Sequence, residues 1–394
     1  MSDHIPLISS DDAGSFAKQV FHDSAVMRVS LERAAQLIAH APHASKIWID
    51  PGVDGCDDIV SRQGTPGNKN SWFDFMSKLP HFEKFAQMGF IAKPTQPEVN
   101  AFVKEVLNRC MAYKPAWITI PQLPTTNGTE RNKINRELAQ ATGEWKSSSG
   151  YSGRLILPLV FTHQEQVNGK TSRNPKVQLA ERCYRDAQAD GFWVVDKSLT
   201  DDNGSATLRN KRFPGIIALH DELNGKIASK VRIGGPYWGL NLVLWAKGLI
   251  DFPLIGVGSS FQFYLSGGPS RSASVKIAIP SLRRRVGVGP KLTGWLDASI
   301  AKLANSHPAH AEFVDLRKKL TVLSQSIRAR EQVATFYKQW YDGIAAAPKA
   351  GRPMALFQDL SAAYALGKSL PAIDDEGTAR RPEAVAESFM MSCL

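Results

Sequence analysis

The chain has 394 residues, with 48 Lys+Arg against 37 Asp+Glu and a net charge of +11. Hydrophobic residues make up 43% and charged residues 22%, so a large core can be buried, and global disorder, collagen and coiled coil are excluded. Apolar stretches such as Trp238–Trp245 fall well short of the ~20 residues of a spanning helix, so no membrane partner is expected.

Cysteines 56, 110, 183 and 393 form no C-x-x-C pair, and neither H-x-H nor H-E-x-x-H occurs. We therefore expect no metal site, no disulfide framework and no cofactor. The opening residues MSDHIPLISSDDAGS lack a basic and an apolar leader region, so a cytoplasmic location is expected. The charge is unevenly placed. Residues 1–150 hold 16 basic and 16 acidic side chains, residues 151–290 hold 19 and 10, and residues 291–394 hold 13 and 11. The +9 middle block implies an anionic partner, either nucleic acid (RNA or DNA) or a small phosphorylated substrate.

After an N-terminal helical lead-in, short apolar runs alternate with helical patterns. The runs are Lys46–Asp50, Ala116–Pro121, Arg154–Thr162, Gly191–Asp196, Ser229–Gly234, Pro253–Ser259 and Ser274–Pro280. Most are continuous rather than alternating, as strands buried on both faces of a parallel sheet are. Helices are predicted over Glu98–Tyr113, Lys133–Thr142, Lys176–Ala189, Phe213–Leu223 and Leu240–Leu249. The alternation predicts an α/β fold, a (β/α)8 TIM-like barrel over residues 1–294, with Phe90–Lys93 or Ile5–Leu7 as the eighth strand. A doubly wound open sheet is the alternative, but no G-x-G-x-x-G follows the first run. Residues 295–394 read as a C-terminal helical appendage, with helices over Phe313–Ser326 and Arg328–Ile344, then a Pro- and Gly-interrupted tail with a loop at Asp374–Gly377.

In a barrel the chemistry sits at strand C-terminal ends. Asp50 ends its run and is the leading nucleophile or general acid/base, because a half-desolvated carboxylate is tunable; Asp54 follows across a tight turn. Asp196 ends another run, with Lys197 beside it on the opposite strand face. His163 is a candidate acid/base, and Gln122 and Gln164 are candidate substrate readers. Gly234, Gly235, Gly256, Gly258 and Ser259 form turns whose backbone N–H groups suit an anion, with Arg232, Arg271 and Arg283–Arg285 nearby. Tyr237 and Phe261 offer faces on which a base can stack.

The segment Arg232-Ile233-Gly234-Gly235, followed by a helix and then Trp245–Phe252, resembles the glycine turn, helix and following segment of the tRNA-guanine transglycosylase superfamily, whose relatives also act on DNA. Asp50-Pro51-Gly52 is similar to that family's early aspartate turn, and Leu157–Gln164 to its base-reading strand. The resemblance covers about a fifth of the chain. It lacks the family's cysteine-rich zinc motif, and Asp251 precedes a strand rather than ending one. It implies a (β/α)8 barrel that exchanges a base at an N-glycosidic bond through an aspartate nucleophile. Two other readings stand beside it. One is a barrel lyase, aldolase or isomerase on a phosphorylated metabolite, with Lys197 forming a Schiff base. The other is a non-catalytic nucleic-acid-binding or interaction protein.

Overall fold

The computed structural model describes residues 3–8, 12–24, 26–39, 47–58, 71–86, 93–125, 128–162, 167–196, 199, 212–256, 275–375 and 378–394. Eight parallel strands close a barrel in chain order. They are β1 (Ile5–Leu7), β2 (Met27–Ser30), β3 (Ile47–Asp50), β4 (Trp117–Thr119), β5 (Arg154–Phe161), β6 (Gly191–Asp196), β7 (Val231–Gly234) and β8 (Phe252–Gly256). Closure is made by β1 against β8, with Ile5 opposite Leu254 and Leu7 opposite Gly256.

The expected barrel is present, with its first strands reassigned. Ile5–Leu7 is β1, and the lead-in expected to be helical supplies β2 as well, a strand the sequence reading did not anticipate. Ser274–Pro280 is not a barrel strand. Its Lys276–Ile279 portion (β9) pairs antiparallel with Arg284–Gly287 (β10) in a hairpin outside the barrel. A short apolar run has the same composition in either setting, so only the pairing separates them.

Among the described residues, the longest helices between strands are α1 (Gln96–Met111), α2 (Thr129–Ser149), α3 (Lys170–Asp186), α4 (Phe213–Lys226) and α5 (Gly239–Ala246). α1 starts at a capping box, in which the Thr95 N–H donates to Glu98 Oε2 at 2.7 Å, with Pro97 in the first turn. α2 ends at Gly150, whose φ of +69° suits a helix stop. α1 buries Val99, Phe102, Val103, Val106, Leu107 and Cys110 on one stripe, and each large apolar side chain so buried stabilises the fold by roughly 1.5–3 kcal/mol.

After the hairpin come α6 (Pro290–Lys302), α7 (Pro308–Leu323), α8 (Ser326–Ala345), α9 (Arg352–Ser369) and α10 (Ala384–Cys393). Residues around Ile277, Leu296 and Phe313 form a second core, which the hairpin joins. α8, α9 and α10 instead pack on the barrel: Tyr337, Trp340, Leu356, Leu360, Val385 and Phe389 belong to its core. Asp3 donates its backbone N–H to the Tyr341 hydroxyl at 3.1 Å, and Lys338 and Arg330 pair with Asp23 and Asp12. α9 and α10 pack against α5, and α8 packs against β9 of the hairpin. The tail expected to be interrupted is helical because Pro353 sits in a first turn, where proline is tolerated, and Gly367 lets α10 approach α9. Of the expected loop at Asp374–Gly377, Asp374 and Asp375 instead belong to strand Ile373–Asp375 (β11), which pairs antiparallel with Thr378–Arg380 (β12), and residues 376–377 lie outside the described residues. Among the described residues, no helix is long and apolar enough to cross a membrane.

Candidate active site

Side chains alternate between the barrel lumen and the helix layer, and register partners share a side. Arg28 pairs with Trp48, Trp48 with Trp117, and Ser30 with Asp50. This places Arg28, Trp48, Asp50, Trp117 and Thr119 in the lumen. On β6 the lumen residues are Gly191, Trp193 and Val195, by pairing with Ile156, Pro158 and Val160.

Asp50 is the last residue of β3 and 4% exposed. Arg28 on the neighbouring strand, 2% exposed, makes a buried ion pair with it through Nη2 and Asp50 Oδ2. The guanidinium lies 4.4 Å from the Trp193 ring centroid and 5.3 Å from that of Trp48. Aromatic faces suit a guanidinium that has lost its water. The indoles are fixed in turn: Trp48 Nε1 donates to Thr119 Oγ1 at 2.8 Å, and Trp193 Nε1 donates to the Gly235 carbonyl at 2.6 Å. The Gly52 N–H donates to Asp50 Oδ1 at 3.2 Å, and the Gly52 carbonyl accepts from Trp72 Nε1 at 3.1 Å. Gly52 has a φ of +65°, which glycine adopts without cost. Burial pushes the Asp50 carboxyl above its ordinary range; Arg28 pulls it down, and the buried Asp54 pushes it up again. Two buried carboxylates thus interact at one strand end, beside a fixed cation.

Asp196 forms a separate knot. It pairs with Phe161 on the helix-facing side of the sheet and is fully buried. Its Oδ1 accepts from Arg212 Nη2 at 3.2 Å, and its backbone N–H donates to the Tyr237 hydroxyl at 2.6 Å. Burial, then the Asp196 charge, pushes the Tyr237 phenol well up. Tyr237 is therefore buried and engaged rather than open for stacking.

Other candidates are occupied elsewhere. Gln122 donates through Nε2 to the Asn135 carbonyl of α2 at 2.9 Å. Arg232 faces the helix layer and forks onto Asp251 at 2.9 and 2.6 Å, at the start of β8. A Cβ on Gly234 would lie 3.1 Å from Ile250, and one on Gly235 would lie 2.4 Å from Asn241, so these glycines serve close packing of α5. Arg283 forks onto Asp359 of α9, through Nε at 2.7 Å and through Nη2, and lies over Phe336 and Trp340. Gly256 ends β8 on the lumen side. His163, Gln164, Lys197, Gly258, Ser259, Phe261 and Arg271 lie outside the described residues. Among the described residues, no three His, Cys, Asp or Glu side chains gather as a metal-ligand set.

Sequence reasoning missed Arg28. Its signal was a charged residue inside the short apolar run Val26–Val29. The sequence matches no known protein-family model and no curated protein.

Proposed function

We propose that this barrel is an enzyme that breaks and remakes an N-glycosidic bond of a nucleic acid at the C-terminal strand ends, with Asp50 as nucleophile. The observation behind this reading is the lumen-facing, desolvated Asp50, oriented by Arg28 and the Gly52 N–H, with Asp54 beside it. A pair of carboxyl groups in unequal surroundings divides nucleophile from acid/base. An Asp50 oxygen attacks C1′ of the target nucleotide, and the C1′–N bond breaks. The departing base takes a proton from the Asp54 carboxyl. A nitrogen of the incoming base then attacks C1′, the ester bond to Asp50 breaks, and the proton returns to Asp54. Arg28 keeps the Asp50 carboxylate charged and aimed.

The test is incorporation of radiolabelled guanine into tRNA and into duplex DNA. Wild type should incorporate label into one of them, and Asp50→Asn should lower the rate by about 10³-fold or more, the range seen when a nucleophile is removed. Absence of exchange with both polymers, or an Asp50→Asn variant as active as wild type, would overturn the reading.

A further inference from the structure

Among the described residues, the opposite end of the barrel carries a cavity. Its volume is about 760 Å³, and it lies among residues at the N-terminal ends of the strands: Ala116 and Trp117 at β4, Arg154 at β5, Phe252 at β8, with Lys114 and Tyr151 on the preceding turns. Its floor is aromatic. Trp117 and Phe252, both lumen-facing first residues of their strands, meet edge to face at 5.5 Å. The Arg154 guanidinium lies 5.7 Å from the Trp117 ring, and its side chain is exposed.

The charge around this opening is unbalanced. Among the described residues, neither Arg154 nor Lys114 has a carboxylate within ion-pair distance. The nearby acids are already engaged. Asp190 receives Lys146 at 2.9 Å, Lys230 at 3.8 Å and the Leu155 N–H at 3.1 Å. Asp251 is held in the Arg232 fork. The residues lining the cavity include two cations, Lys114 and Arg154, and no carboxylate. An apolar aromatic floor beside unpaired cations binds a flat ring that carries a negative group, and the volume falls within the ~300–1,000 Å³ of small-molecule sites.

We propose that the N-terminal end of the barrel is a second binding site, for a small planar aromatic anion whose ring lies against Phe252 and Trp117 and whose phosphate or carboxylate meets Arg154 and Lys114. This goes beyond the strand-end chemistry and does not depend on it.

Isothermal titration of the full chain with phenyl phosphate, benzoate and inorganic phosphate tests the proposal. At least one ring-bearing anion should bind saturably, and inorganic phosphate should bind at least tenfold more weakly. The better of phenyl phosphate and benzoate identifies the anionic group. Arg154→Gln changes an exposed side chain and should weaken binding at least tenfold, whereas Asp50→Asn should leave it unchanged. Three results would overturn the site: no saturable binding by either ring-bearing probe, an Arg154→Gln protein that binds as wild type, or equal affinity for inorganic phosphate. Loss of binding in Asp50→Asn alone would place the ligand at the other end of the barrel and overturn it equally. Failure of base exchange with intact probe binding would reject the proposed function and leave this site standing.

Discussion

Arg28→Met separates the two roles of Arg28. Methionine keeps an apolar stem between Trp48 and Trp193 but removes the charge that faces Asp50. Removing one partner of a buried ion pair costs ~3–5 kcal/mol, because the other charge stays buried without compensation. Losing the guanidinium–indole contacts adds ~1 kcal/mol, so the expected destabilisation at pH 7 is about 4–6 kcal/mol. The pH dependence carries a sign. Burial already holds the Asp50 carboxyl above its ordinary range, and Arg28 is what opposes that rise. Without Arg28 the native carboxyl keeps its proton to higher pH than the unfolded chain does. The native state then binds more protons than the unfolded state, so the variant loses stability as pH rises above about 4, at ~1.4 kcal/mol per unit of raised pKa. Urea unfolding followed by far-UV circular dichroism at pH 5 and pH 7 measures both effects. The variant should be closer to wild type at pH 5. Adding Asp50→Asn should restore at least about 2 kcal/mol at pH 7, because the uncompensated charge is gone. A single variant within about 1 kcal/mol of wild type at pH 7, or a double variant with no recovery, would refute the reasoning.

Gly52→Ala puts a side chain at a φ of +65°, with its Cβ 3.0 Å from Trp72 Nε1. It should cost about 1–2 kcal/mol in urea unfolding and slow base exchange by shifting the N–H that holds Asp50. Gly367→Ala would bring a Cβ to 2.6 Å from the Glu383 backbone nitrogen, so a loss of about 1–3 kcal/mol is expected; an unchanged midpoint would show that α9 and α10 are not closely packed there. Burial pushes the Cys183 thiol up to about 12, pushes Cys110 up as well, and raises the half-buried Cys393 to about 11. Of these three, Cys393 should react first with a disulfide reagent at pH 8, and Cys110 and Cys183 only after denaturant is added.

Much of the barrel was legible because its strands are buried on both faces. β3 to β8 read as continuous apolar runs, and the helical stripes of α1 to α5 fell between them. β2 was not legible, since Met27–Ser30 is short and contains a charge that only the barrel neutralises. The run at Ser274–Pro280 was legible as a strand but not as a hairpin, because pairing partners are not encoded in composition.

The candidate site divided in the same way. Asp50 was identifiable as the carboxylate at a strand end. Its partner Arg28 is 22 residues away, and strand register alone puts it on the same side of the sheet. Conversely, the arginines close in sequence to glycine turns suggested a phosphate cradle. Arg232 instead faces outward to Asp251, and Arg283 sits in a hairpin locked to Asp359. The sequence by itself determined the alternating architecture and the excess of positive charge. Tertiary structure decided which charges cancel in pairs and which remain unpaired at the floor of the barrel. The physical reason is that a one-residue change in strand position reverses the side a residue faces, and the charge total of a chain carries no information about that side.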